Sequence, residues 1–520
     1  MVYLQRERHK SYECVGKHTA TLKPHANIIS PDKNLCETPS PSTECTIDLE
    51  EQATHILRQR AWKRRPVNAT PFGIRTRSCL PVPVWSADVW RSVAICSGEM
   101  SDSEEESSSG ADWPVTEEWL QAVLKSHHVD LPDPSSITVL DFTVKPGCDA
   151  GESVLSDILA VTVKYRLPDD PVEEKHSLNF IVKLLPQDPF SRFFVTEAQF
   201  DLREIKFYTQ VVPDLENFKS KNLTKDVELE LPIPKCYYAH YNAGATEPEP
   251  IPPESVLVLE NIKPHGYVGA DFSRGLTLPQ AAAAVESIAQ VHALSLSLKV
   301  KEGKPLSERY PFLFQTTRAS DSYQQLVERG LPQLAQFLEK KTGLENVLEA
   351  LNTLRANTKD VIENLLKPEE PMALITHTDF WCNNLMFKQE KGGGKATCCI
   401  LDWQMVTYSR PTNDLALLLI SSVPAELRRL HSEELLDSYW DTLTASCAKL
   451  GLNVETELNY DRKNLGEDYK RSQLLALLLC IGSVDVALGD PLTEERLLEL
   501  LRDLHNDGLL NADIINKVQE

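Results

Sequence analysis

His377, Asp379, Asn384 and Asp402 stand in ITHTDFWCNNLMF and the ILDWQ that follows it. An acid is followed five residues later by an amide and then, after a hairpin-like interval, by a second acid. Phosphoryl transfer needs a carboxylate that orients a hydroxyl, with an amide and a second carboxylate that hold magnesium beside nucleotide phosphates. Apolar residues flank the cluster, which puts it on a loop between buried segments, and KATCCILD reads as a strand ending at Asp402. A polar cluster alone has other uses, so the reading depends on whether the chain also supplies a nucleotide site.

The preceding sequence supplies its parts in order. VTEEWLQAVLKSHH has apolar residues at helical spacing behind a capping Thr. Two alternating runs, ITVLDFTVK and ILAVTVKYRL, read as strands around a loop that holds Gly147 and Gly151, and HSLNFIVKLLP as a third strand that carries Lys183. An isolated strand lysine is more often an edge residue that snorkels to water. A hairpin whose glycine loop covers phosphates, followed by a strand lysine that reaches them, is instead the nucleotide half of a kinase. No Walker loop, GxxxxGK[ST], is present. RFFVTEAQFDLREIKFYTQVVPDL reads as one amphipathic helix, from which Glu204, or alternatively Glu197, would hold the lysine in place. VLVLE then reads as a strand that ends in a polar turn, and Glu260, Asn261 and Ile262 are the hinge residues that would meet the nucleotide base.

LTLPQAAAAVESIAQVHALSLSL is a strong helix with His292 on its inner side, where a packed core histidine is the simpler reading than a ligand. More helices are expected over 317–367 and from 420 to the end. Strands with a single helix come first and helices follow, the order of an α+β chain with a small β-rich N-lobe (111–262) on a larger, mostly helical C-lobe (263–520).

Composition agrees with a globular protein of 520 residues, 42% apolar and 25% charged. A net charge of −22 argues against a nucleic-acid partner. The 12 cysteines lack CxxC pairing, so reduced thiols rather than a zinc site or disulfide framework are expected. No uninterrupted apolar stretch reaches membrane-spanning length; Leu474 to Leu488 is short and broken by Asp485. A cytoplasmic protein with no membrane span is the expectation. Residues 1–110 mix Pro, Ser, Thr and basic residues without sustained periodicity and read as a disordered extension, with Met100 a candidate true start.

HTDFWCNN with ILDWQ, preceded by EIKFY and VLVLENI, resembles the ecdysteroid-kinase-like (CHK kinase-like) family, relatives of choline and aminoglycoside kinases. The resemblance spans about residues 115 to 500 and implies a protein-kinase-like fold and an ATP- and Mg2+-dependent kinase acting on a small-molecule alcohol, such as an ecdysteroid or another lipophilic hydroxylated compound. It implies that Asp379 is the catalytic carboxylate, that Asn384 and Asp402 bind magnesium, and that Lys183 contacts phosphates with Glu204 as its partner. It further implies that His377 and Trp381 shape the loop and Asp414 braces it. Thr378 departs from the glycine common at that place. Two alternatives stand beside this reading. One is a catalytically silent pseudokinase that binds a small ligand. The other is a choline- or ethanolamine-type kinase, whose cation pocket Tyr439, Trp440 and Asp441 could supply, though helix packing explains that aromatic pair equally well. Protein kinase activity is disfavoured, because RPTNDLA stands where an APE-like element would follow Asp402.

Overall fold

A computed structural model describes residues 115–510, apart from 132–135, 149–152, 154, 169, 172, 224–228, 246–250, 315, 357 and 390–394. The expectations for residues 1–110, for Met100 and for Gly151 lie outside the described residues.

Helix α1 (Glu117–His127) starts at Thr116, whose hydroxyl accepts from Trp119 N–H at 3.2 Å, a side-chain cap on the otherwise unpaired first turn. Strands β1 (Thr138–Pro146), β2 (Asp157–Arg166) and β3 (His176–Leu184) follow as an antiparallel meander. On β2 the buried residues Leu159, Val161, Val163 and Tyr165 recur every second position, as a half-buried strand requires. The same alternation on β3 buries Phe180, Val182 and Leu184 and turns Lys183 to the opposite face.

The segment expected as one helix is broken. Helix α2 (Pro189–Ala198) ends at Gln199, which holds a left-handed φ of 57°; α3 (Phe200–Lys206) follows, then a π-helical turn over Phe207–Val211 and α4 (Val212–Asn222). Residue Gln199 reverses the path between two helical pieces, a change that helical periodicity does not encode.

Strands β4 (Cys236–Asn242) and β5 (Glu254–Glu260) complete a five-stranded antiparallel sheet in the order β1-β2-β3-β5-β4. Strand β5 is buried on both faces: Val256 and Val258 pack with α1 residues Leu120, Val123 and Leu124, while Leu257 and Leu259 join the core of the helical part. Each such side chain contributes roughly 1.5–3 kcal/mol on burial.

After the two-residue strand β6 (Val268–Gly269) comes α5 (Leu278–Glu302), capped by a reciprocal Thr277–Gln280 box and ended by Gly303 at φ 62°. This helix is apolar enough over 18 residues to pass as a membrane span, but 83% of that window is buried inside the protein, as the central helix of a large core. Helices α6 (Leu306–Arg309), α7 (Thr316–Leu338), α8 (Glu345–Ala356) and α9 (Thr358–Leu366) follow. Short strands β7 (Leu374–Thr376), β8 (Leu385–Gln389), β9 (Ala396–Ile400) and β10 (Thr407–Ser409) carry the polar loops. Strand β7 pairs with β10, and β8 pairs with both β6 and β9.

Helices α10 (Thr412–Ser422), α11 (Ala425–Lys449), α12 (Val454–Leu458), α13 (Arg462–Gly482), α14 (Val484–Ala487) and α15 (Pro491–Asn506) close the chain. The fold is the expected α+β, two-lobed kinase-like arrangement, a β-rich N-terminal part followed by a mostly helical one. The described cysteines are all free thiols, most of them buried.

Candidate active site

Lys183 leaves β3 on the face toward α3, where its Nζ lies 2.6 Å from Glu204 Oε2 and 2.7 Å from Asp402 Oδ1. Three residues from separate segments, chosen from the sequence for one task, therefore meet at one amine. Glu197 is exposed on α2, so the break at Gln199 decides in favour of Glu204. The second Glu204 oxygen, Oε1, accepts from Trp403 N–H at 3.2 Å, and Trp403 stacks on Phe207 with ring centroids 4.2 Å apart. Arg203 donates to the Val406 carbonyl at 3.2 Å. The helix that offers the glutamate is thus fastened to the Asp402 loop. Burial opposes charge on Lys183, but Asp402 and Glu204 more than offset it and hold the amine's pKa above the ordinary lysine value. Burial pushes Glu204 up to about 7, against the pull of Lys183 and with that of Asp402.

The second half of the site is built on Asp414, which is fully buried on α10. Its Oδ2 accepts from His377 N–H at 2.8 Å and its Oδ1 from Thr378 N–H at 2.7 Å, so it grips the backbone of the loop, the bracing role expected of it. His292 lies 3.1 Å from Asp414 on one ring nitrogen and 2.9 Å from the Tyr439 hydroxyl on the other, a satisfied core histidine as expected. Thr378 takes a left-handed φ of 68°, a strained choice for a β-branched residue. Its hydroxyl is 2.6 Å from that of Thr407, inside a buried group that also contains Thr376 and Ser409.

His377 is locked as one tautomer by its neighbours. Nδ1 accepts from Asp379 N–H at 3.3 Å, so Nε2 carries the proton and donates to the Leu401 carbonyl at 2.8 Å. One imidazole thereby ties the Asp379 loop to the strand end before Asp402. Asn384 Nδ2 donates to Asp379 Oδ2 at 2.8 Å and to Asp379 O at 2.9 Å, which directs its amide Oδ1 away from Asp379. Leu401 N–H donates to Asn384 O at 2.8 Å, so the two candidate metal-binding residues are held side by side. Asp402 has one oxygen on Lys183, and its side chain is 30% exposed at the cleft. Amide and carboxylate oxygens are hard donors, and the pair fits magnesium. Burial raises the Asp379 carboxyl above the usual aspartate range, the Asp402 charge adding to it while His377 and Asn384 oppose it.

At the hinge, Glu260 N–H is spent on Lys235 O (2.8 Å) and Asn261 N–H on Asn179 O (3.2 Å). Among the described residues the Ile262 N–H has no partner, which narrows the three hinge candidates to Ile262 as the donor toward a base. Ile262 packs with Met386, Cys399, Tyr267 and Leu401, an apolar bed that sequence reasoning missed. Its signal was faint: Met386 and Cys399 are opposed across the β8–β9 hairpin, one on each strand. Gly147 ends β1 against β2, where a side-chain carbon would fall 2.5 Å from Ile158 Cγ2 and 3.1 Å from Leu159 C. Glycine is needed there for strand packing, whatever it does for phosphates. Its carbonyl accepts from Lys263 Nζ at 3.1 Å, a second unforeseen contact, which links hinge to loop. Tyr439 and Trp440 are buried in helix packing. Trp381 is half-buried with its ring edge-on to Phe272.

The model of the ecdysteroid kinase-like family matches residues 150–452. This chain belongs to the ecdysteroid kinase-like family. Its family places it with small-molecule kinases, as the motifs led us to expect. Among solved structures the chain is similar to a choline kinase from Cryptosporidium parvum, with 12% identity and a TM-score of 0.39 over 77% of this chain and 99% of that one. It is similar also to an ethanolamine kinase from Plasmodium vivax (12% identity, TM-score 0.33, 74% and 87% covered) and a choline kinase from Streptococcus pneumoniae (15%, 0.31, 75% and 99%). No curated protein matches the chain.

Proposed function

We propose that this ecdysteroid kinase-like protein is a cytoplasmic enzyme that transfers the γ-phosphoryl group of ATP to the hydroxyl of a lipophilic small molecule, such as an ecdysteroid or a xenobiotic alcohol. The observation that carries the reading is the convergence of Glu204 and Asp402 on the Lys183 amine, beside the Asp379–Asn384 pair. Ile262 N–H and its apolar bed would take the base, and Lys183 would bear on the phosphates. The lobe boundary falls at this hinge, between 111–262 and 263–520.

Asn384 and Asp402 would hold magnesium, which when bound neutralises charge on the phosphates. Asp379 does the chain's part of the chemistry. With Oδ2 occupied by Asn384, Oδ1 is the oxygen that accepts the substrate hydroxyl's proton. The hydroxyl oxygen then forms a bond to the γ-phosphorus, the bond from that phosphorus to its bridging oxygen breaks, and ADP leaves. Positioning and fixed charge supply most of the rate in such a reaction. The silent-pseudokinase reading is less well supported, because lysine, glutamate, both acids and the amide are all present, Lys183 paired with Glu204 and Asp402 and Asn384 with Asp379.

Purified protein with Mg2+ and ATP should phosphorylate at least one member of a panel of hydroxylated steroids and xenobiotic alcohols, read as a phosphate mass shift. Asp379→Asn should abolish that product while circular dichroism and melting stay native-like. A variant that kept its turnover would overturn the assignment of Asp379.

A further inference from the structure

Strand β1 lies at one end of the five-stranded sheet. Among the described residues it pairs with β2 alone, and all of its residues except Val139 are exposed. A free strand edge is a row of unpaired N–H and C=O groups, which proteins blunt with bulges, prolines and charge. On β1 two such devices stand at the ends: Leu140 is the extra residue of a bulge against β2, and Pro146 has no N–H to give. Asp141 to Lys145 lie between them with the pairing edge open.

Gly147 N–H donates to Ile158 O at 2.8 Å, which sets the phase of the β1–β2 ladder. Successive residues of an antiparallel strand address opposite edges. Asp141, Thr143 and Lys145 therefore give their backbone groups to β2, while Phe142 and Val144 turn theirs outward. The Phe142 and Val144 side chains share the face of Val163 and Val161, their cross-strand partners, which are buried in the cluster that packs on α1. Phe142 and Val144 themselves are 36% and 39% exposed, so the apolar face runs past the helix and out to the edge. Asp141 and Lys145 stand on the other face. Asp141 meets Lys164 at 3.0 Å, an exposed pair, whereas Lys145 has no carboxylate within ion-pair distance among the described residues.

We propose that β1 pairs with β1 of a second copy of this chain, antiparallel about a two-fold axis at Thr143, so that the two sheets join into one. The stretch is its own complement. Phe142 exchanges N–H···O bonds with the partner's Val144, and Val144 with the partner's Phe142, which uses the outward-facing groups alone. On one face the apolar side chains cover their counterparts. On the other, Asp141 stands opposite the partner's Lys145, and Lys145 opposite the partner's Asp141. An axis at Phe142 or Val144 would set Asp141 or Lys145 against threonine and leave the charges unpaired, so the charges select the register. A two-fold contact of this kind closes at a dimer. The assembly does not depend on the kinase reading.

Sedimentation of the full chain across a concentration series, with amide hydrogen exchange alongside, tests this. The protein should pass from monomer to dimer, and the Phe142 and Val144 amides should gain protection as it does. Lys145→Asp sets two acids against each other across the axis, and Asp141→Lys sets two lysines. Each should raise the dimer dissociation constant about tenfold. Mixed in equal amounts, the two variants should pair with each other at near the unsubstituted strength, because one brings lysines and the other acids to the contact. That rescue also shows that both variants fold. Two weakened variants that fail to rescue each other overturn the proposal, as does a dimer indifferent to both reversals, whose contact lies on another face. A chain that is monomeric at every concentration overturns it too, and β1 amides protected in that monomer would put the chain's own residues before 115 on the edge.

Discussion

At the scale of single residues, Asp379 carries the most specific expectation. Burial raises its carboxyl above the ordinary aspartate range, so the proton stays on to higher pH than it would in water. A protonated Asp379 is too weak a base to take the substrate's proton. Activity should therefore fall on the acid side, along a limb set by a pKa above that of a free aspartate. A pH profile of kcat measures this, and an acid limb at the ordinary aspartate position would contradict it. Glu204 and Lys183 are a different case, because their charges face each other across 2.6 Å and neither acts alone. That Lys183 sits on a strand was readable from the period of two along HSLNFIVKL, which also sets the face it takes. The choice between Glu204 and Glu197 was not, since both fit an unbroken helix and only the kink at Gln199 separates them.

Loops and their supports belong to the scale of elements. The Asp379 loop keeps a left-handed threonine because Asp414 holds its N–H and Thr407 its hydroxyl. Thr378→Gly removes the conformational strain, on the order of 1–2 kcal/mol, and loses a hydrogen bond worth about 1 kcal/mol. The two nearly offset, so we expect a small net change in stability. Thr378→Val keeps the strain and removes the hydroxyl, and should destabilise by roughly 1–3 kcal/mol. Thermal melts should rank glycine above valine; the opposite order would show that the network does not hold the loop. Helix packing makes a second demand. Gly330 on α7 meets α13 so closely that a β-carbon would stand 1.8 Å from the Ile481 carbonyl oxygen. Gly330→Ala must force the two helices apart, at a cost of about 1–3 kcal/mol or more. Unchanged denaturant midpoints would refute that contact.

At the scale of the whole molecule, hinge and glycine loop are joined by the Lys263 side chain, which donates to Gly147 O. On the proposed kinase reading, Lys263→Ala should raise the nucleotide KM several-fold and lower kcat less, because it would loosen the loop proposed to cover the nucleotide and leave the Asp379 loop intact. Steady-state kinetics with ATP varied would show it, and an unaltered KM would sink it. Most of the strands and helices and their two-part order were legible in the chain itself, and Lys183, Asp379, Asn384 and Asp402 stood out there as candidates for the site. They depend on local periods and on short motifs, in which neighbouring residues carry the information. The apolar bed under Ile262, the grip of Asp414 on the loop, the His377 tautomer, and the burial of Tyr439 and Trp440 required the tertiary structure. Each depends on which surfaces meet once distant segments pack. Lys183 and Asp402 are 219 positions apart, and no local pattern in the chain records that their side chains close to 2.7 Å.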